Sequence, residues 1–233
     1  MADIAKSKYF QYIAIAFVAL LMISNTVSVK LVGFGPFVFA GAIFIFPITY
    51  IFGDILTEVY GYGPTRRIIW SAFVAQIGMS LGYLFVQYLP AASFWGGQEA
   101  YATILGFVPR IVGASMIAFF FGEFSNSYVL SRMKVLMNGK HLWMRTIGST
   151  IVGEGVDSIV FALIAFYGTV PLAGLVTLII SGYLFKVGYE IIATPITYLV
   201  VGKLKKAEGI DAFDRGVNYN PFHFSKNAMT AQE

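Results

Sequence analysis

Apolar residues in this chain come in long blocks separated by short polar ones. Six blocks stand out: Tyr9 to Val29, Pro36 to Phe52, Ile68 to Leu89, Phe107 to Leu130, Thr146 to Tyr167 and Leu172 to Val201. A run of roughly 20 apolar residues spans a hydrocarbon core about 30 Å thick. The second block is short and broken by Pro47, and the pattern predicts helix continuing through Glu58. The last contains Pro195, which predicts a kink near its end. The first follows Lys6 and Lys8 and stays apolar for about 20 residues with no small-residue cleavage site after it. It therefore reads as a retained span, not a signal peptide. The pattern predicts an all-α integral membrane protein of about six transmembrane helices over residues 1–202. A polar cytoplasmic tail over 203–233, expected to be solvated, would follow.

Composition agrees. Of 233 residues, 58% are hydrophobic and 12% charged, where a soluble domain carries about 25% charged. Charge also sets an orientation. With the N-terminus inside, the inner segments hold Lys6, Lys8, Arg66, Arg67, Arg132, Lys134, Lys140, Arg145 and the Lys and Arg residues from Lys203 on. Only Lys30, Arg110 and Lys186 fall elsewhere. Cytoplasmic loops retain Lys and Arg, so both termini are expected in the cytoplasm. The loop ASFWGGQEAYATILGF, with Trp95 and Tyr101, suits a turn at the outer interface.

The exclusions narrow the chemistry. No basic face interleaved with aromatics suggests nucleic acid, despite a net charge of +4. With no cysteine there is no disulfide or thiolate site. No phosphate loop or H-E-x-x-H motif occurs, and His141 and His223 fall in a loop and the tail. Gly53–Asp54 is only a weak echo of an intramembrane aspartyl protease, which needs two facing aspartates. No soluble catalytic domain, cofactor or metal is expected, and the chain reads as a non-enzyme.

Several ionisable groups lie inside the apolar blocks. A charge at mid-bilayer costs about 2.5 to 3.5 kcal/mol on insertion scales, so each needs a partner or a wet cavity. Arg145, Ser149, Gly153 and Asp157 recur every four residues and form one helical stripe, with Glu154 on a neighbouring face. Helix packing through Ser149 and Gly153 explains the small residues but not the two acids. Lys186 sits in the last block, with Glu190 one turn later. It can pair with Glu190 along its own helix or with Asp157 across helices, leaving Glu154 or Glu190 to face a ligand. In block four, Glu123, Asn126 and Ser127 lie together below Phe119 to Phe121. Asp54 and Glu58 lie near the inner face, where Arg66 and Arg67 can neutralise them. Asn25 serves equally as helix glue or ligand contact.

These residues fall in strings that resemble the VUT family of queuosine precursor transporters, bacterial importers of 7-deazaguanines. The strings are SNTVSVKL (Ser24 to Leu31), FPITYIFGDILTEVYGYGPTRRIIW (Phe46 to Trp70), GEFSNSYVLSRMK (Gly122 to Lys134), RTIGSTIVGEGVDS (Arg145 to Ser158), YLFKVGYEIIATPITY (Tyr183 to Tyr198) and, in the tail, FDRGVNYNPF. The resemblance implies a six-helix inner-membrane importer for cyano- or aminomethyl-deazaguanine or queuine. It also suggests a fold related to the substrate-binding subunits of energy-coupling-factor vitamin importers. A guanine-like edge presents paired donors for a carboxylate and an acceptor for Asn or Lys. The expected substrate-binding set is Glu123, Asn126, Glu154, Asp157, Lys186, Glu190, Asn25 and Asp54. The expected partners are a small purine-like molecule and the lipid bilayer, with a homodimer left open. The rivals are a binding subunit needing a separate ATP-hydrolysing module, and an intramembrane enzyme.

Overall fold

A computed structural model describes residues 7–34, 37–166 and 171–223. In chain order come helix α1 (Phe10–Val27), strands β1 (Leu31–Phe34) and β2 (Phe37–Ala40), and a 3-10 turn (Gly41–Phe44). Helices α2 (Phe46–Tyr60), α3 (Tyr62–Gln87), α4 (Gln98–Ile104), α5 (Val108–Leu136), α6 (Leu142–Phe166) and α7 (Leu172–Glu208) follow. Five helices, α1, α3, α5, α6 and α7, are long and apolar enough to cross a membrane. Their outward faces carry exposed large apolar side chains such as Ile15, Val74, Phe85, Ile117 and Ile192. The interior is rich in polar groups. Lipid tails are as apolar as leucine, so burying leucine does not drive these helices together. Close packing at small residues and internal hydrogen bonds do. The α5–α6 seam shows this. A Cβ on Gly122 would lie 3.0 Å from the Gly153 carbonyl, and one on Gly153 would lie 2.9 Å from the Gly122 carbonyl.

The second apolar block differs from expectation. Its first part is not helix: β2 pairs antiparallel with β1, with Leu31 opposite Ala40 and Phe34 opposite Phe37, and the 3-10 turn follows. Pro47 does not break a helix but sits in the first turn of α2, where its missing N–H costs nothing. The hairpin pairs part of its backbone within itself and lines the cavity, a setting in which non-helical backbone is tolerated inside a membrane bundle. Gly41 closes the hairpin onto α1: its N–H donates to the Lys30 carbonyl at 2.6 Å, and a Cβ there would lie 2.6 Å from the Val27 carbonyl. At 15 residues α2 is short, yet it is buried along almost its whole length among α1, α3, α5 and α7. The hydrophobic core, with Phe17, Leu21, Tyr50, Leu56, Ile69, Phe73 and Phe119, wraps it.

The last helix runs unbroken through Pro195 to Glu208 and ends at Gly209, whose φ of 67° is the left-handed conformation that glycine adopts without strain. The segment beyond it was expected to be solvated. Instead, Ile210 and Ala212 are buried, and residues 210–221 form a strap across the α2–α3 corner. The Ala212 N–H donates to the Val59 carbonyl at 3.1 Å, and Arg66 donates to the carbonyls of Asn218 and Asn220. The Asp214 carboxylate accepts the Tyr62 N–H at the start of α3, acting as a helix cap from 152 residues away. Residues 224–233 lie outside the described residues. At the same end, Ser7 and Tyr9 bond to Glu208, so the start of the described chain meets the end of α7.

Candidate functional site

Away from the strap, a cavity of about 280 Å³ opens between the helices. Asn25 and Ser28 at the end of α1, and Phe39, Ala40, Ala42 and Ile43 from the hairpin and 3-10 turn, form one side. Phe46 begins α2, Ser115 comes from early α5, and Asp157, Ser158 and Phe161 come from late α6. Leu178, Gly182 and Lys186 come from early α7. All belong to the half of the bundle remote from the docked tail. Three aromatic rings and a small set of polar groups line the space, the composition of a site for a small, flat, partly polar molecule.

The polar wall centres on Lys186. Its ammonium lies 2.7 Å from Asp157 and 2.8 Å from Glu154, and 4.7 Å from the centre of the Phe46 ring. Two acids thus share one base, leaving the trio one negative charge in excess when both are ionised. The stripe on α6 aims Asp157 here, because Gly122 of α5 lets the helices close: a Cβ on Gly122 would lie 2.7 Å from that of Asp157. Asn25 faces the cavity and also donates to the Gln76 side chain on α3, so it is both glue and wall.

Five other sequence-derived candidates lie behind this wall, outside the cavity lining. Asn126 donates to Asp54 at 2.7 Å. Glu123 accepts a long bond of 3.5 Å from Ser127, and its carboxyl fills the space that a Cβ on Gly53 would need. Glu154 meets the cavity only through Lys186. Glu190 is buried on α7 and is not an ion-pair partner of Lys186, which settles the choice between Asp157 and Glu190 for that lysine. Asp54 and Glu123 are both 0% exposed, and neither makes an ion pair among the described residues. Unpartnered polar atoms cluster here: Tyr50 Oη, Asp54 Oδ2, Glu123 Oε2, Asn126 Oδ1 and Glu190 Oε1.

Near the strap the chemistry changes. Glu58, one turn beyond Asp54, is paired with Arg145, with Lys205 at 2.6 Å and with Lys134 at 3.5 Å. The expected neutralisers, Arg66 and Arg67, are not its partners; Arg66 is spent on tail carbonyls because the strap passes over it. Lys134 also holds Asp211 at 2.5 Å and the Glu58 and Ala212 carbonyls at 2.6 Å.

The sequence reading missed Phe39, Phe46, Ser115, Ser158 and Phe161 as wall residues. Phe161 continues the four-residue stripe one turn past Asp157 and was within its reach, whereas Ser158, one residue on, lies off it. Phe39 was hidden by reading residues 36–45 as helix. Among the described residues, no three His, Cys, Asp or Glu side chains are grouped to hold a metal ion.

Comparison with known proteins gives this geometry a family. Residues 40–200, well over half of the chain, match the profile described as "Putative vitamin uptake transporter". The chain is 32% identical over 146 residues to the "Probable queuosine precursor transporter" of Bacillus subtilis (strain 168), covering 62% of this chain and 64% of the relative. It is 27% identical over 124 residues to the "Queuosine precursor transporter" of Escherichia coli (strain K12), covering 53% of each. The matches thus span between about half and just under two thirds of those relatives' length. No solved structure matches the chain. The profile match extends from the end of β2 through most of α7, and on that ground the chain belongs to the VUT family, as a homologue of queuosine precursor transporters.

Proposed function

We propose that the chain imports small purine-like bases of the 7-deazaguanine class across the inner membrane, binding them in the cavity between Asp157, Lys186 and Asn25. The observation that carries this reading is the wall itself: aromatic rings of Phe39, Phe46 and Phe161 beside a carboxylate, an ammonium and an amide. Phe46 and Phe161 offer faces for a flat ring. Asp157 accepts the paired donors of a guanine-like edge, and Asn25 or Lys186 donates to its carbonyl. Glu123, Asn126, Glu154, Asp54 and Glu190 lie one layer deeper, outside the cavity lining, and in this reading make no contact with the base.

In this reading the polypeptide crosses the membrane six times with both termini cytoplasmic, α2 with its preceding hairpin counting as the short crossing. The cavity then faces outward, and the Glu58 network with its strap closes the inner side. Alternating access exchanges these two closures around the mid-bundle polar layer.

The test is label exchange and uptake by the purified full chain in liposomes, with cyano-deazaguanine as the probe. Exchange across the membrane without any added protein is expected. The Asp157→Asn protein, which swaps an acceptor oxygen for a donor, should bind the base about 10- to 150-fold more weakly, equivalent to about 1.5–3 kcal/mol for hydrogen bonds to a charged group. Binding without exchange, restored by an ATP-hydrolysing partner, would replace this reading with that of a binding subunit. Recovery of a chemically altered base would make the chain an enzyme.

A further inference from the structure

We propose that transport by this chain is coupled to proton movement, with Glu123 as the proton-carrying group and Asp54 as its neighbour in the relay. The inference rests on the transport reading above and adds its energy source.

Glu123 and Asp54 are cut off from water at the centre of the bundle, and each keeps one carboxyl oxygen without a partner. Among the described residues, every buried base that could offset them is engaged elsewhere. Lys186 serves Glu154 and Asp157; Arg145, Lys134 and Lys205 serve Glu58; Arg66 serves the strap. A carboxylate stripped of water with no counter-charge is one of the most costly groups a protein can bury, so these two are held as neutral acids in this conformation. An ordinary structural role does not explain them, because a packed core would not place acids where no base meets them and one oxygen of each carboxyl lacks a donor.

The surroundings define a path. Facing Glu123 are Tyr50 and Asp54 from α2, and Glu154 and Asp157 from α6 with their Lys186 counter-ion from α7; Glu190 of α7 acts on Asp54 from beyond. On the sides of α5 turned to α1 and α3, Phe17 and Phe73 pack against Phe119, one turn before Glu123. The Tyr50 hydroxyl is buried, lacks a partner and points at Gly122, beside both Asp157 and Glu123. It therefore stands among the wall acid Asp157 and the deeper acids Glu123 and Asp54. A proton taken from the outer solution at the wall passes by Tyr50 to Glu123, and leaves to the inner solution once the strap side opens. The substrate is unchanged, and no covalent bond other than O–H forms or breaks.

The experiment uses the full chain in sealed liposomes with labelled cyano-deazaguanine, which carries no charge of its own, and an internal pH dye. An outside-acid gradient should drive accumulation several-fold above equilibrium, with proton entry that requires the base and with collapse on adding a protonophore. Glu123→Gln, a neutral mimic of the protonated acid, should exchange label at zero gradient but lose gradient-driven accumulation. Should that variant not fold, Asp54→Asn is expected to show the same separation. Exchange by the wild-type chain with no response to the gradient overturns the proton coupling and leaves the transport reading standing. Loss of both exchange and uptake in the wild type overturns both.

Discussion

On α2, two acids a single turn apart are treated in opposite ways. Glu58 is buried at the strap end and meets Arg145, Lys205 and Lys134. Asp54 is buried toward the cavity and meets a single amide, from Asn126. The contrast extends to their neighbourhoods. Around Glu58 the bases also hold Asp211 and backbone carbonyls, so charges and acceptors are satisfied together. Around Asp54 the unpartnered oxygens of Tyr50, Glu123, Asn126 and Glu190 accumulate. Networks that are fully satisfied rigidify, whereas an unsatisfied buried polar group is costly and is retained for some other reason. The strap end is therefore closed by a saturated network in this conformation, whereas the middle keeps polar groups free to take new partners.

The sharpest way to break the comparison is at the saturated end. Glu58→Ala strands Arg145 in the interior with its counter-charge gone and leaves Lys134 only the part-exposed Asp211. A loss of about 3–5 kcal/mol is expected, the range for removing one member of a buried ionic group. Thermal unfolding in detergent would read it. A variant as stable as the parent would mean that the network at the strap end is ornamental and that the contrast fails.

A smaller loss is expected at the cavity. Lys186→Ala leaves Glu154 and Asp157 facing each other, but the cavity lets water reach them, so the cost should fall near or below about 3 kcal/mol, the low end of the same range. Replacing Asp157 by Asn in that background should recover part of the loss, since Asp157 is one of the two partners in the structure. Recovery of the same size from Glu190→Gln would contradict the geometry.

The smallest expected effect concerns the strap, where two carboxylates are perturbed in opposite directions. Burial holds Asp214 above the usual carboxylate range, against the pull of Ser131 and the Tyr62 amide. Asp211 is also raised by its partial burial, but Lys134 and Lys205 outweigh this and hold it below the usual range. The signs follow. The docked strap binds the Asp214 proton more tightly than the free one, so that contribution is present at low pH and is lost as pH rises through the raised value. The Asp211 contribution is present above the ordinary range and is lost as pH falls through the lowered value. Hydrogen-exchange protection of the Ala212 amide, corrected for intrinsic rate, should therefore decline modestly as pH rises above the ordinary carboxylate range. In Asp214→Asn that decline should vanish while the acid-side loss from Asp211 remains.

What was legible in the sequence is what local physics controls. An apolar run of helix-spanning length declares itself without reference to any neighbour, and α1, α3, α5, α6 and α7 all lie where such runs occur. The four-residue repeat from Arg145 to Asp157 identified one inward-facing stripe on α6, and the cost of a bare charge in lipid was enough to predict an acid partner for Lys186. The same cost could not say which helices stand side by side. That decision made Glu154 a second partner of Lys186, gave Glu58 three bases from α5, α6 and α7 in place of nearby Arg66 and Arg67, and left Glu123 and Asp54 with none. It also turned residues 37–44 into a strand and a 3-10 turn lining the cavity, because a short apolar run suits strand or helix equally and only the neighbours decide. The tail is the plainest case. Its polarity marked it as solvated, yet Asp214 is the cap of a helix that begins 152 residues earlier. Capping energy depends on where an orphan N–H lies in space, and chain order carries no record of that.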